Sequence, residues 1–213
     1  MTQQAGLYLE IDDIVAYTVR QNENMKIEIF GIHDLFNRLV KYDEKLRPII
    51  CYDNKSYGGL ISFSISYDAN YLYVGDTKYE KIRRFTFDLE PSENIKITCK
   101  TNSLAISEKF ICVNDYEKGV HFYDKNNHKL MKSLDGSFGI ISYMHSKFVV
   151  PCPKGANILC FSTDDAVCLE LIKVRKEIRE YIKESNDGCM FSDDSFLYCV
   201  SVSKNCILKF KIN

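Results

Sequence analysis

Basic side chains are most concentrated in residues 169–184, where they alternate with glutamates. Converging arginines and lysines can neutralise phosphate groups, and arginine donates two parallel hydrogen bonds to such an anion. The sequence therefore predicts an anion-binding site here. The basic cluster of this segment begins at Lys173. The candidate contacts to the anion follow it and are Arg175, Lys176, Arg179 and Lys183. The neighbouring glutamates almost cancel this charge, so the pattern also fits a solvated face whose charges pair with one another.

Two other groups of residues, two arginines and four histidines, are weaker candidates for a ligand-binding or metal-binding site because of their spacing. Arg83 and Arg84 are adjacent in a predicted strand, so their side chains should point to opposite faces and cannot grip one ligand together. We expect one of them to be exposed and the other to stack or cap. The histidines have no metal-ligand spacing, and structural or surface roles are expected for His33, His121, His128 and His145. No metal site is predicted.

Catalytic motifs are absent from the sequence, which contains no G-x-S-x-G, no P-loop and no H-E-x-x-H. Asp68, Asp193 and Asp194 occupy matching turns in two repeats. Active-site carboxylates have no reason to recur in each copy, so we expect these residues to accept hydrogen bonds from nearby backbone N–H groups. The sequence predicts a protein that is not an enzyme and needs no cofactor.

The overall composition limits the partners and the compartment. Hydrophobic residues make up 46% of the 213 and charged residues 27%, which allows a globular core, and the net charge of −1 predicts no nucleic-acid partner. Nine cysteines without a C-x-x-C pair indicate a reducing compartment. The N-terminus lacks the features of a signal peptide, and no apolar run approaches the ~20 residues that span a bilayer. We expect a cytoplasmic protein.

The elements that must position these residues are short strands, and Asn102–Ser133 shows their pattern most clearly. Apolar runs rich in Ile, Val, Phe and Tyr are separated there by polar turns. The predicted strands are Ser103–Ile106, Phe110–Asn114, Val120–Tyr123 and Leu130–Leu134. Four such strands within about 30–45 residues make one blade of a β-propeller.

The remaining chain divides into further copies of this unit. FSDDSFLYCVSVSKNCILKFKI repeats ISYDANYLYVGDTKYEKIRRFTF as strand, Asp-containing turn, strand, charged turn and strand. The chain has no tryptophan, and Tyr123-Asp124 and Phe87-Asp88 stand where a propeller would have its Trp-Asp dipeptide. We predict an all-β fold, with residues 1–213 forming a single WD40-like β-propeller domain. About five blades are recognisable, and the ring could be complete, incomplete or open.

Three segments need separate treatment. Leu35–Arg47 fits either an outer strand with a loop or one helical turn. Leu169–Lys183 has apolar residues at helical spacing, so it fits a short amphipathic helix or an outer strand followed by a charged loop. Leu7–Glu10 is a spare strand before the first unit. We predict that it pairs beside Ile207–Lys211, closes the ring and hides an edge.

From about Ile14 to Asn213, the order of the units resembles the PROPPINs, the phosphoinositide-binding WD-repeat-like propellers of autophagy. VGDTKYEKIRRF is similar to the family's Val-Gly-Asp turn before a basic strand, and FVVPCPKGANILCF is similar to a strand that ends at an aromatic-Pro step. IFGIHDLF is similar to a strand of the first blade. CKTNSLAISEKFICVNDYEKGVHFYDKNNHKLMKSLDG is similar to the third blade.

The chain departs from the family in two respects. It has sequence for about five blades where the family has seven, and the family's Arg-Arg-Gly motif is not intact. In the nearest positional match, EIRE, only Arg179 corresponds to an arginine, and Glu180 replaces the glycine.

The resemblance implies a scaffold of autophagy that binds phosphatidylinositol 3-phosphate or the 3,5-bisphosphate. Its partners would be phosphoinositide-containing membranes and other autophagy proteins. It would act peripherally on pre-autophagosomal, endosomal or vacuolar membranes. The alternative is a WD40-like scaffold that binds protein partners without lipid.

Overall fold

The computed structural model describes residues 14–33, 38–53, 64–115, 117–136, 138–144, 147–152, 157–173, 190–192, 196–201 and 206–211. These residues form 19 strands and no helix, which confirms the predicted all-β fold. In particular, none of them belongs to a helix that is long and apolar enough to cross a membrane.

The strands form five antiparallel sheets, each made from strands that follow one another along the chain. Sheet I contains β1 (Ile14–Gln21), β2 (Ile27–His33), β3 (Arg38–Tyr42) and β4 (Pro48–Asp53). Sheet II contains β5 (Ile65–Tyr67), β6 (Leu72–Asp76), β7 (Lys81–Phe85) and β8 (Ile95–Lys96). Sheet III contains β9 (Ser103–Ile106), β10 (Phe110–Asp115), β11 (Gly119–Asp124) and β12 (Leu130–Leu134).

The last two sheets follow the same pattern. Sheet IV contains β13 (Ser142–Met144), β14 (Lys147–Cys152), β15 (Asn157–Ser162) and β16 (Cys168–Lys173). In the described part of the chain, sheet V contains β17 (Met190–Ser192), β18 (Phe196–Ser201) and β19 (Cys206–Lys211).

Local sequence explains the turns of sheet III. The Asp124 carboxylate accepts the backbone N–H groups of Asn126 and Asn127 at 2.9 and 3.0 Å, which turns the chain between β11 and β12. At the start of β11, Gly119 has φ = 98°, and a Cβ there would lie 2.0 Å from the carbonyl oxygen of Leu134. Only glycine fits that position. All four predicted strands of this sheet are therefore confirmed, each to within one residue at either end.

Apolar side chains pack between consecutive sheets, because each strand points alternate residues to opposite faces. In β10, Ile111 and Val113 face sheet II, whereas Phe110 and Cys112 face sheet IV. The cluster between sheets I and II includes Phe30, Ile32, Leu39, Leu72, Val74 and Phe85. The cluster between sheets III and IV includes Cys112, Phe122, Phe148, Val150 and Phe161. Sheets II and III thus bury both faces, and the stacking order follows the sequence.

The first strands of the sheets lie side by side. β1 contacts β5, β5 contacts β9, β9 contacts β13, and β13 contacts β17. The other strands of each sheet follow outward from its first strand in chain order. Side chains of different sheets can therefore meet along this line of first strands.

For Leu35–Arg47, the alternative of a strand with a loop is confirmed except for its position, because the strand is an inner one, and the helical turn is wrong. Its described part contains β3, which pairs with both β2 and β4, and the outer strand is the unpredicted β4. The charged residues that made the strand pattern of this segment irregular lie in the turn after β3. There, the Asp43 carboxylate accepts the backbone N–H groups of Lys45 and Arg47 at 2.9 Å each.

Two other predictions concern segments that are described in part or not at all. Within Leu169–Lys183, the outer-strand alternative holds up to Lys173, which ends β16, and residues 174–183 lie outside the described residues. The proposed pairing of Leu7–Glu10 with Ile207–Lys211 also involves residues outside them.

Candidate functional site

The candidate contacts of the predicted anion site lie outside the part of the chain that the structure describes, so the site stays a prediction. Lys173 is the last residue of β16, the outer strand of sheet IV. The candidate contacts Arg175, Lys176, Arg179 and Lys183 lie outside the described residues.

The structure contains a cavity of about 820 Å³ between the first strands of sheets I to IV. Its walls come from β1, β5, β9 and β13, together with the turns that follow β5, β9 and β11. Strands from four different sheets therefore contribute to one concave surface. A cavity of this size is within the range of small-molecule and peptide side-chain sites.

Three tyrosines from three different sheets line this cavity: Tyr17 in β1, Tyr67 in β5 and Tyr143 in β13. Their exposed fractions are 51%, 38% and 40%, which is high for such large side chains. Tyr17 is exposed because β1 alternates: Ala16 enters the core between sheets I and II, so the next side chain points to the other face. The cavity thus presents aromatic rings to solvent.

Asp68, in the turn after β5, forms a network at the cavity wall. One carboxylate oxygen accepts the backbone N–H groups of Asn70 and Tyr71 at 2.8 and 2.9 Å, which confirms the predicted turn-forming role. The other accepts the Tyr73 hydroxyl at 2.7 Å and lies 2.6 Å from Nζ of Lys125. The ion pair joins sheet II to sheet III, a link that turn chemistry alone does not predict.

The protonation states of this network follow from its burial and its partners. Burial would raise the pKa of Asp68, but the hydrogen bonds from Lys125, Tyr73 and the backbone outweigh it, so the pKa is lowered. Burial, and then the hydrogen bond to Asp68, raise the pKa of Tyr73. The tyrosine therefore stays a neutral donor and the aspartate an anion near neutral pH.

Glu108 also lines the cavity and is exposed. It forms no hydrogen bond or ion pair with any other residue that the structure describes. Asp68 and Lys125 cancel each other, so Glu108 carries the one remaining negative charge among the described lining residues. The neighbouring Lys109 is not part of the wall, and its ammonium is held by Asp164 at 2.7 Å.

An apolar lip adjoins the cavity at the hairpin between β1 and β2. It consists of Val19, Met25 and Ile27, whose side chains are 45%, 72% and 48% exposed. Gln21 pairs with Ile27, so Val19 and Ile27 are diagonal neighbours on the same face. Val19 also lines the cavity, which makes the lip and the cavity one continuous surface.

The remaining sequence candidates have structural roles where they are described. Arg83 and Arg84 lie on opposite faces, as predicted. Arg84 stacks over the Tyr71 ring at 5.0 Å and donates to the carbonyl of Glu93. Arg83 is buried, however, and its guanidinium holds the Asp76 carboxylate at 2.6–2.7 Å, so neither arginine is the exposed one that we expected.

Of the three histidines that are described, two contact other side chains, and His128 donates its backbone N–H to the carbonyl of Asp124 in the turn after β11. His33 hydrogen bonds to the Tyr42 hydroxyl, and His121 hydrogen bonds to Ser133 through Nδ1 at 2.9 Å. Among the described residues, no three His, Cys, Asp or Glu side chains are grouped closely enough to hold a metal ion. Asp193, Asp194 and His145 lie outside the described part of the chain.

No protein-family model and no curated protein matches the chain. Several solved structures match its fold. The computationally designed protein Ika4 has a TM-score of 0.53 at 7% identity, over 75% of this chain and 95% of its own. The designed protein Ika8 has a TM-score of 0.58 at 6% identity, over 91% of this chain and 57% of its own. Glutaminyl cyclase from Myxococcus xanthus has a TM-score of 0.55 at 7% identity, over 85% and 84%. At such identities the likeness concerns the fold alone.

Proposed function

We propose that the five sheets are the blades of one WD40-like β-propeller domain spanning residues 1–213. Three features support this arrangement. Each sheet is built in chain order, buried clusters stack sheets I to IV in sequence, and first strands adjoin one another. Repeated four-stranded sheets that contact mainly their neighbours are typical of this architecture.

We propose that the propeller is a non-enzymatic scaffold that binds a protein partner over the cavity and the apolar lip. The observation that carries the proposal is the convergence of three exposed tyrosines from three sheets on one cavity. Tyrosine is enriched where proteins bind one another, because it offers a large apolar ring with a polar end at low entropic cost. Exposed apolar residues that adjoin a cavity are also typical of interaction sites.

Proximity labelling in cells tests this scaffold function. A biotin ligase is fused to the wild type, to the double variant Tyr17→Ser/Tyr67→Ser, and to Tyr79→Ser. Tyr79 is the matched control, because it is 44% exposed but does not line the cavity. We expect the double variant, but not the control, to lose specific labelled partners, while circular dichroism shows both folded. An unchanged partner set in the double variant contradicts the proposal.

The second candidate function is the binding of phosphatidylinositol 3-phosphate or the 3,5-bisphosphate by the cluster Arg175, Lys176, Arg179 and Lys183. One observation favours it: β16, which ends at Lys173 just before this cluster in the sequence, is the outer strand of its sheet, and outer strands form the rim of a propeller. A rim site could meet a flat membrane without obstruction. On this proposal the protein acts at pre-autophagosomal, endosomal or vacuolar membranes with other autophagy proteins.

Liposome flotation at low salt tests lipid binding. We expect the wild type to float with vesicles that contain either phosphoinositide and not with phosphatidylcholine vesicles, and Arg175→Ala/Arg179→Ala to lose this binding. Lys96→Ala/Lys129→Ala, which removes the same charge from exposed positions of sheets II and III, is the control. Equal flotation with both vesicle types, or equal loss in both variants, would rule out the proposed lipid site.

A further inference from the structure

We propose that the cavity recognises an organic cation, supplied by a lysine or arginine side chain in an apolar segment of a protein partner. The inference rests on the proposed scaffold function and specifies the chemistry of its ligand. It is carried by the charge, the aromatic rings and the apolar lip of the cavity wall.

The charge of the wall favours a cation. Asp68 is fully engaged, because both of its oxygens accept hydrogen bonds and one lies 2.6 Å from Nζ of Lys125. Glu108 has no such partner among the described residues. A carboxylate at the edge of a partly enclosed site attracts a ligand cation more strongly than one in open water, because field lines concentrate in a low-dielectric cleft.

The aromatic rings favour the same ligand. Tyr17, Tyr67 and Tyr143 present exposed rings to the cavity. The face of an aromatic ring carries partial negative charge, so an ammonium or guanidinium placed over it is attracted. Exposed rings in this molecule already hold cations: Nζ of Lys78 and of Lys81 each lie 5.0 Å from the centre of the Tyr79 ring.

An anionic ligand does not fit this wall. The only cation among its described lining residues is Lys125, and that ammonium is held by Asp68. A phosphate or carboxylate in the cavity would have to break this ion pair and would also meet the charge of Glu108. Each of these effects disfavours the anion.

The apolar lip indicates that the cation belongs to a peptide. Val19 lines the cavity and continues onto Met25 and Ile27, all of them exposed. A free amine would occupy part of the cavity and leave these side chains in water. A peptide with an apolar residue next to its lysine or arginine covers both surfaces, and the hydrophobic gain of about 25 cal/mol per Å² favours it over a free cation.

Calorimetry and nuclear magnetic resonance on the full chain test the inference. The probe is an acetylated and amidated peptide, Leu-Arg-Leu, and its neutral match replaces arginine by citrulline. Guanidinium chloride at low millimolar concentration is the free-cation arm. Ring ¹³C-labelled tyrosine reports on the site, and the resonances of Tyr17, Tyr67 and Tyr143 are assigned with Tyr→Phe variants.

We expect the arginine peptide to shift the three cavity tyrosines and to bind roughly tenfold more tightly than the citrulline peptide, which corresponds to about 1.4 kcal/mol. Glu108→Gln should reduce this difference, because the rings still favour the cation, whereas Glu44→Gln, at an exposed position outside the cavity, should leave it unchanged. Equal affinity for both peptides, or shifts at other tyrosines only, overturns the cation inference. Guanidinium binding as tightly as the peptide overturns the peptide as its source.

The two proposals fail separately. If both peptides bind equally, or neither binds, while Tyr17→Ser/Tyr67→Ser still removes cellular partners, the scaffold function stands and its cationic ligand is wrong. If the partner set is also unchanged by that double variant, the cavity is not the binding surface at all.

Discussion

Burial decides what each ion pair of this protein contributes. The Asp76 carboxylate and the Arg83 guanidinium are both removed from water and lie 2.6 Å apart. Lys109 and Asp164 form a pair of similar length, 2.7 Å, but both side chains are more than half exposed. Breaking a buried pair leaves one charge without water or partner, whereas an exposed partner is simply solvated.

We expect Asp76→Ala to lower the free energy of unfolding by about 3–5 kcal/mol, because it leaves the Arg83 guanidinium buried and unpaired. Asp164→Ala is the matched control and should leave stability unchanged within error. Urea unfolding followed by circular dichroism measures both. Equal effects of the two substitutions would contradict this account of burial.

The lowered pKa of Asp68 predicts a pH dependence. A carboxyl whose folded pKa is below its unfolded value contributes stability above the unfolded pKa, and this contribution is lost as pH falls through the folded pKa. The difference in unfolding free energy between wild type and Asp68→Asn should therefore be full at pH 7 and shrink below about pH 4. Urea unfolding at several pH values measures it. A difference that stays constant down to pH 3 would show that the charge of Asp68 does not stabilise the fold.

Contacts between neighbouring sheets recur at corresponding elements. At the end of the first strand, or in the turn after it, a side chain reaches the turn between the third and fourth strands of the next sheet. Asp68 of sheet II meets Lys125 of sheet III, and Lys109 of sheet III meets Asp164 of sheet IV. In sheet I, Arg20 lies 3.3 Å from the centre of the Phe87 ring of sheet II. The same position between neighbouring sheets therefore carries an ion pair twice, with the charges exchanged, and a cation–π contact once.

Double-mutant cycles separate these contacts. For Asp68→Ala and Lys125→Ala we expect a coupling free energy of about 1 kcal/mol, because both side chains are at least four-fifths buried and Tyr73 holds the aspartate in place. The topologically equivalent pair Lys109 and Asp164 should show no measurable coupling, because both are exposed. The reverse order would contradict the link between burial and coupling.

Sequence patterns predicted most strands but not the cavity. Alternating apolar residues between Asp- and Gly-containing turns placed all four strands of sheet III. The charged turn at Asp43–Arg47 made the pattern irregular, so a strand at β3 was only one of two alternatives and β4 was not predicted. The repeated tripeptide Ile-Ser-Tyr, at residues 65–67 and 141–143, was an available sign that corresponding tyrosines line one surface. Periodicity could not reveal this, because it shows which face a residue takes within one strand and not which sheets meet.

At the scale of the whole molecule, stability comes from clusters shared by two sheets. Phe122 is completely buried between sheets III and IV, where its ring lies 5.7 Å from that of Phe148 and 5.2 Å from that of Phe161. Each of the three described clusters is shared by two neighbouring sheets, so none of sheets I to IV has a described core of its own. A substitution that removes side-chain volume from one cluster should therefore destabilise both of the sheets that share it.

We expect Phe122→Ala to cost about 3–5 kcal/mol through the cavity that it leaves in this cluster. Hydrogen exchange should show loss of protection in both β10–β11 and β14–β15, and a smaller loss in β2–β3. Tyr79→Ala, at an exposed position, is the control. Loss of protection confined to sheet III would show that the sheets are independent units.

A crystal structure of the full chain tests the central claim most directly, namely that the first strands of consecutive sheets surround one cavity. The account predicts β1, β5, β9, β13 and β17 side by side around a common axis, with the rings of Tyr17, Tyr67 and Tyr143 facing the same space. Sheets that splay apart, with these three tyrosines on separate surfaces, would contradict it and remove the basis for both the scaffold and its cationic ligand.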